Sequence, residues 1–169
     1  MTRLVPMQAN VYPRFLDEAV TGYARDNVVA GRWPEAEALE LSRAEFSRLL
    51  PAGLETADHR IYEIEDEVTG QTVGFVWLAF KQKGTMKSAY VYQVLVQPEF
   101  RRRGHARAAL QALEVIAAAE GASNIGLHVF QHNPGAQDLY ALLGYQINSV
   151  NMLKPLARDD LEGAVPGSR

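Results

Sequence analysis

The stretch VQPEFRRRGHARAALQALE, residues 96–114, decides the fold because three kinds of local structure meet in it. Pro98 stops the apolar segment before it, since proline cannot donate to a sheet ladder. Apolar side chains then recur at helical spacing, which predicts a helix from about Arg103 to Glu120 that Gly121 ends. Gly104 and four arginines therefore lie where a strand passes into a helix: Arg101, Arg102, Arg103 and Arg107.

The start of this predicted helix has the properties of an anion site. A helix N-terminus presents unpaired N–H groups and a partial positive charge. No Ser, Thr, Asp or Asn stands at the expected N-cap, and Gly104 allows the backbone to approach a ligand closely. Arginines beside it can form charge-assisted bonds to phosphate oxygens. The residues alone leave two interpretations open: a site for a phosphate-bearing ligand, or a solvated basic patch.

The sequence before this stretch predicts a short edge strand, then two helices and then three strands. Apolar side chains at helical spacing indicate the helices, and a near-continuous apolar run indicates a central strand covered on both faces. The short connections between strands favour an antiparallel meander. The predicted elements are an edge strand over 3–7, helices over 13–29 and 34–50, and strands near 61–64, over 72–81 and over 88–96.

The chain after it predicts a strand over 125–130, a short helix over 134–143 and a last strand over 145–153. A strand, a helix and a strand joined by one crossover demand a parallel pair, right-handed by the usual rule. The predicted fold class is α+β, a three-layer α/β sandwich. Its mixed sheet joins an antiparallel meander to a parallel strand pair, and helices cover both faces.

The bulk composition narrows the classes of function. The chain of 169 residues suits one domain, predicted over 1–154, with a polar C-terminal tail over 155–169. A formal net charge of −3 provides no broad basic field for nucleic acid. The absence of cysteine excludes disulfides and a cysteine nucleophile. No signal peptide or apolar run of membrane-spanning length is evident, so a cytoplasmic protein without a membrane partner is expected.

Two sequence blocks resemble the GNAT superfamily of acetyltransferases. RRRGHA, residues 101–106, follows a strand and resembles the signature Q/R-x-x-G-x-G/A. NPGAQDLY, residues 133–140, with LGY at 143–145, resembles the second block N-x-x-A-x-x-x-Y followed by L-G-F/Y. The blocks stand in the family's order with the expected elements between them. The resemblance covers roughly residues 60–153, and the first two helices carry no motif.

The resemblance implies a fold, a co-substrate and residue roles. It implies acetyl-CoA as co-substrate, with its pyrophosphate in the arginine turn and its pantetheine arm along the strand before that turn. Asn133 would hydrogen-bond the pantetheine region, and Tyr140 would protonate the leaving thiolate. The residues implied to hold acetyl-CoA are Val94, Leu95, Val96, Arg101, Arg102, Arg103, Gly104, His105, Ala106, Arg107, Asn133 and Tyr140.

The general base departs from the family pattern. Many relatives place a carboxylate on the third or fourth strand, but residues 89–96 contain none, and Gln93 and Leu95 stand where relatives often have acids. LHVFQHN, residues 127–133, is similar to L-E-V-x-x-x-N of the N-terminal-alanine acetyltransferases that modify ribosomal proteins. His128 takes the place of that Glu, and an imidazole of pKa ~6.5 can accept a proton near neutrality. A packing role for His128 stays open, and Glu99 is a lesser candidate.

No metal is expected. His128 and His132 on an extended strand would lie ~13 Å apart at ~3.3 Å per residue, too far to share a zinc ion with Zn–N bonds of ~2.0–2.1 Å. Tyr140 has a core-packing alternative. Arg32 and Trp33, in the turn between the first two helices, either border the acceptor site or form a surface turn.

The leading hypothesis is therefore an enzyme, an acyl-CoA-dependent N-acetyltransferase. It would move acetyl from acetyl-CoA to a primary amine by direct attack in a ternary complex. The alternative is a non-catalytic acyl-CoA-binding sensor or regulatory module, favoured by the missing carboxylates. The acceptor is a small molecule, a protein N-terminus or a lysine, and the chain is a monomer or homodimer. Where relatives often end in a two-strand hairpin, this sequence predicts only one strand after Gly144. The acceptor site would then be open, or a dimer partner would complete it.

Overall fold

A computed structural model of the protein describes residues 1–156. Short connections join the helices and strands, and 3-10 turns lie at Gly53–Glu55 and Pro98–Phe100. The elements in chain order are β1 (Thr2–Pro6), α1 (Tyr12–Val29), α2 (Glu35–Leu49), β2 (His59–Asp66), β3 (Gln71–Lys83), β4 (Met86–Val96), α3 (His105–Ala119), β5 (Asn124–Leu127) and α4 (Pro134–Leu142).

The five strands form one mixed sheet in the order β1-β2-β3-β4-β5. Pairing is antiparallel from β1 to β4, and β4 pairs with β5 in parallel. Strand β3 is central, and its residues 73–80 are all buried, as the near-continuous apolar run predicts. The predicted mixed sheet is confirmed, and β1 extends the predicted meander by a fourth antiparallel strand.

Helices cover both faces of this sheet and enclose two separate cores. Helix α3 packs on one face through residues such as Leu113 against Val76 and Val91. Helices α1 and α2 pack on the opposite face, where Phe15 and Phe46 surround Trp77. The three-layer arrangement is confirmed because each face of β3 is apolar and each needs a helical cover.

Strands β4 and β5 stay paired over only four residues. The parallel register runs from Ser88 opposite Asn124 to Val91 opposite Leu127. Directly after it, a bulge lets Trp77 pair with Gln93 while Leu78 pairs with Val91, so Tyr92 is an extra residue in β4. Beyond the bulge, β4 pairs with β3 alone, and its other edge has no strand neighbour within the described residues.

The structure corrects two strand predictions. Strand β5 ends at Leu127, although alternation predicted it through Phe130. The predicted last strand over 145–153 is wrong: these residues adopt no regular structure, and Ile147 and Met152 are exposed. A strand exists only where a neighbour accepts its backbone hydrogen bonds, and side-chain alternation carries no information about that neighbour. Of the predicted tail, residues 155 and 156 are irregular, and 157–169 lie outside the described residues.

Gly74 provides a test of how tightly β3 fits against β4. A Cβ at this position would overlap the carbonyl oxygen of Leu95. Gly74→Ala should therefore lower the free energy of unfolding by about 2 kcal/mol, a fall in Tm of roughly 6 °C for a chain of this size. Thermal unfolding followed by circular dichroism measures the change.

Gly22→Ala is the matched control for Gly74→Ala. Gly22 lies inside α1 with no heavy atom within 4 Å of an added Cβ. Alanine there should stabilise the protein by about 0.5–1 kcal/mol, because it restricts the unfolded chain. Equal Tm changes in the two variants would contradict the steric account of Gly74.

Candidate functional site

The N-terminus of α3 is built by left-handed backbone rather than by a capping side chain. Gly104 is the N-cap, with φ of 87°, and Arg102 also has a positive φ, of 62°. No side chain caps this helix, as the sequence predicts. Ala108 N donates to Gly104 O at 3.0 Å, which is the first hydrogen bond of the helix ladder. The main-chain N–H groups of residues 105–107 come before this bond and are not used in the ladder. These amides are suited to an anion, because a helix start carries partial positive charge.

The arginines of the turn have different surroundings. Arg101 Nε donates to the carbonyl oxygen of Val96 at 2.9 Å, which ties the turn to the end of β4. The Arg103 guanidinium lies 5.6 Å from the ring centroid of Phe100. Arg102 and Arg107 are exposed. The cluster therefore holds one arginine fixed to the backbone and presents the other charges to solvent.

His105 is buried and bound to the first strand. Its Nδ1 lies 2.9 Å from Thr2 Oγ1, a hydrogen bond between α3 and β1. The imidazole is thus engaged in the fold, and a ligand at the turn would meet only the main-chain N–H of His105. Ala106, next along the helix, is half-buried.

Asn133 is the N-cap of α4. Its Oδ1 accepts a hydrogen bond from Ala136 N at 3.3 Å, and Pro134 occupies the first helical turn. Asparagine followed by proline is a common helix start. The Asn133-Pro134 pair therefore predicts a helix N-cap, a role that the family motif does not assign to Asn133. The capping bond uses Oδ1 and leaves the Asn133 amide N–H groups for another partner.

Tyr140 lies half-buried on α4, with its ring centroid 5.7 Å from that of Tyr145. Burial raises the pKa of Tyr140 above its ordinary value. The pKa of Tyr145 is raised more strongly, by burial and then by the charges of Glu114 and Tyr140. A phenol with a raised pKa keeps its proton at neutral pH and can donate it.

His128 comes directly after the last residue of β5. Its ring meets the Phe130 ring edge-on at a centroid distance of 4.8 Å. Burial lowers the pKa of His128, and the positive charge of Arg32 lowers it further. The imidazole is therefore neutral at neutral pH, the form that can accept a proton.

Aromatic side chains line the sheet face that α1 and α2 cover, and the sequence motifs did not reveal this. Trp77 stacks on Tyr92 with centroids 4.5 Å apart, and Tyr92 meets Tyr90 at 4.8 Å. Trp77 Nε1 donates to His59 Nδ1 at 2.9 Å, which fixes the indole. The available signal was tyrosine at alternate positions of β4, since such side chains share one face.

The turn between α1 and α2 adjoins these aromatics through Tyr23, which lies 6.1 Å from Phe46, and Phe46 lies 5.5 Å from Trp77. The Trp33 ring meets Tyr23 edge-on at 5.3 Å, and Tyr23 lies 6.4 Å from Phe130. The Arg32 guanidinium is 5.9 Å from the Phe130 centroid. This turn thus packs toward the segment that carries His128, although the sequence could not decide whether it was a free surface turn.

A hydrogen bond joins α1 to the loop after β5. His132 Nε2 lies 3.4 Å from Asp26 Oδ1, so α1 is linked to the loop after β5. Within residues 1–156, no group of three or more His, Asp or Glu side chains is placed to hold a metal ion. Across the same residues, no helix is both long and apolar enough to cross a membrane.

Comparison with known proteins identifies the family. The sequence model of the Acetyltransferase (GNAT) family matches residues 21–145. Two Bacillus subtilis (strain 168) proteins, both named as uncharacterized N-acetyltransferases, align over 153 residues: YycN at 34% identity and YdgE at 32%, each covering 90% of this chain and 97% of the relative. The chain therefore belongs to the GNAT acetyltransferase family.

A solved structure supports the same assignment. The crystal structure of YycN from Bacillus subtilis matches this fold with a TM-score of 0.88 at 33% identity. The match covers 94% of this chain and 100% of that one. The resemblance drawn from the two sequence blocks is confirmed at the level of family and fold.

His59 makes stability depend on pH. Burial lowers the pKa of His59, the nearby Asp58 charge raises it, and the Lys81 charge lowers it. Because the unfolded chain binds this proton more readily, at a pKa of about 6.5, the free energy of unfolding should fall as pH drops below about 6.5. Protonation at Nδ1 would also remove the acceptor for Trp77 Nε1.

His59→Gln tests this dependence, because glutamine can accept the Trp77 bond but does not titrate. The loss of unfolding free energy between about pH 7.5 and about pH 5 should be smaller in the variant than in the parent. Urea denaturation at both values measures it. An unchanged loss would show that other groups, His128 among them, account for the whole dependence.

Proposed function

We propose that this protein transfers acetyl from acetyl-CoA to a primary amine by direct attack in a ternary complex. The observation that carries the proposal is the uncapped start of α3 beside the strandless edge of β4, in a chain of the GNAT family. The first feature suits a pyrophosphate, and the second offers main-chain hydrogen bonds to an extended amide-containing arm. Acetyl-CoA would supply the acetyl group already activated as a thioester.

The residues proposed to hold acetyl-CoA fit that co-substrate. The turn around Gly104 provides main-chain amides, and Arg102 and Arg107 provide exposed positive charge. The main chain of residues 94–96 adjoins the end of the parallel pairing. Arg101 would position the turn through its bond to Val96 O, and Asn133 would donate through its amide nitrogen.

His128 is proposed as the general base. A primary alkylamine has a pKa near ~10.4 and must lose a proton to become a nucleophile. The lowered pKa of His128 keeps its imidazole ready to accept that proton at neutral pH. Strand β4 has no carboxylate over residues 89–96 that could do so.

Tyr140 is proposed as the general acid. A thiol of pKa ~8.5 leaves as a thiolate and takes a proton from a nearby donor. The raised pKa of Tyr140 keeps its hydroxyl protonated until that moment. The chain contains no cysteine to take the acetyl group first, which agrees with direct transfer. The ammonium loses one proton to His128 to become the nucleophile, and the nitrogen loses a second as the amide forms and the C–S bond breaks. One of these protons replaces the proton that Tyr140 gives to the thiolate, and the other is released to solvent.

Tyr140→Phe should lower kcat at least about tenfold and leave acetyl-CoA affinity unchanged. The reason is that phenylalanine keeps the ring and removes only the acidic proton. Thiol release from acetyl-CoA with a panel of amines measures kcat, and calorimetry measures the affinity. Tyr145→Phe is the control: it removes a buried hydroxyl without a hydrogen-bond partner, in contact with the same ring. An unchanged kcat in Tyr140→Phe would remove Tyr140 as the acid.

His128→Ala should abolish the acidic limb of the rate profile. In the parent, kcat/KM should rise with pH through the lowered pKa of His128, below about 6.5, because only the neutral imidazole accepts a proton. The variant should be about a hundredfold slower near neutrality and lack this limb. His132→Ala is the control, since it removes an imidazole that pairs with Asp26 instead. Identical profiles in parent and His128→Ala would overturn the assignment.

The same assays separate the enzyme from a sensor that only binds acyl-CoA. Acetyl-CoA binding with no thiol release on any primary amine would favour the sensor, which the absent β4 carboxylate supports. Turnover that depends on both Tyr140 and His128 would favour the enzyme.

A further inference from the structure

A pocket of about 390 Å³ lies beside His128, between the ends of β3, β4 and β5. A volume of this order suits a small molecule. Tyr90 forms part of its wall from β4, and Lys81 borders it from β3. The irregular segment after α4 contributes Asn148 and Ser149. The pocket therefore adjoins the proposed general base, where an amine acceptor would have to lie.

The formal charge of the described pocket lining is positive. Among residues 1–156, Lys81 is the one Lys or Arg that lines the pocket, and no Asp or Glu lines it. Besides the Tyr90 hydroxyl and the His128 imidazole, the polar groups are the hydroxyls and amides of Ser88, Asn124, Asn148 and Ser149. The Ser149 hydroxyl donates to Asn148 Oδ1 at 3.4 Å, and Asn124 Nδ2 donates to Ser123 Oγ at 3.4 Å. The Ser88 hydroxyl and the other amide N–H groups can donate hydrogen bonds to an anion.

Lys81 is not neutralised by a carboxylate. Within residues 1–156 it forms no ion pair at 4.0 Å or less, whereas Lys87, farther along the same hairpin, pairs with Glu120 at 3.2 Å. Its Nζ instead lies 4.9 Å from the Tyr90 centroid and 5.3 Å from the Tyr92 centroid. The two rings hold the ammonium over the aromatic face by cation–π attraction.

Other charged groups lie around this face. Arg32 lies at its other side, over Phe130. Asp26 is paired with His132 at 3.4 Å and lies 3.8 Å from Arg25. Asp58 adjoins His59 and makes no ion pair with Lys81 at 4.0 Å or less. A cationic acceptor such as a polyamine would thus meet Lys81 in the pocket, where no Asp or Glu of residues 1–156 lines the wall.

We infer that the acceptor is a small amine that also bears a carboxylate, as an amino acid does, and that the Lys81 pocket binds the carboxylate. The Lys81 ammonium forms the ion pair, and the neighbouring amides and hydroxyls donate to the remaining oxygen lone pairs. The amine then lies toward His128, which borders the same pocket. This inference rests on the proposed function and specifies the substrate class of that site.

The test compares each amino acid with its carboxamide in the parent and in two lysine variants. The carboxamide keeps the amine and the side chain but lacks the negative charge. In the parent, kcat/KM should favour the acid by about fivefold or more, the size of one solvent-accessible ion pair. Lys81→Met should remove the preference, and Lys83→Met, which removes an exposed lysine outside the pocket, should retain it. Added salt should weaken the preference in the parent.

A binding measurement makes the test independent of turnover. Calorimetric titration of N-acetyl amino acids and their carboxamides, in the presence of CoA, should show the same acid preference and the same loss in Lys81→Met. A Lys81-dependent preference without turnover of any amine would support the carboxylate pocket and overturn the proposed transfer. Equal values for acid and carboxamide, or binding of neither, would overturn the carboxylate pocket, even if other amines are acetylated.

Discussion

The candidate site depends on the separation of strands β4 and β5 beyond their four paired residues. The two parallel strands pair only as far as Val91 and Leu127, and the extra residue Tyr92 turns β4 away from its neighbour. A paired strand would use its main-chain groups in the sheet, whereas the end of β4 has no strand neighbour at one edge among residues 1–156. The same separation places the start of α3 and the segment carrying His128 on either side of the opening.

Two kinds of surface meet at this opening. The α3 side provides main-chain amides and arginine charge, with Arg101 bound to the end of β4 at 2.9 Å. The opposite side provides aromatic rings, fixed by the hydrogen bond from Trp77 to His59. Main-chain amides and arginine charge on one side of the sheet thus lie opposite an aromatic surface on the other.

Sequence patterns predicted the elements that depend on local signals. The basic turn, its glycine and the helix after it appeared as expected, because helix periodicity and the need for a cap are local properties. The extent of β5 and the strand predicted over 145–153 were wrong, since both depend on a distant backbone partner. The aromatic face was also missed: Trp77 and Tyr92 are far apart in sequence, and only their strand register brings them together.

The sequence by itself determined the family, the mixed sheet and the position of the basic turn before α3, because these depend on motif spacing and residue periodicity. Only the tertiary structure decided which side chains already have hydrogen-bond or charge partners within the protein. His105 is bound to Thr2, Asn133 caps α4, and Lys81 lies over two tyrosine rings with no ion pair to a carboxylate of residues 1–156. The physical reason is that hydrogen bonds and charge pairs form between side chains brought together by folding, and residue identity alone does not specify the partner.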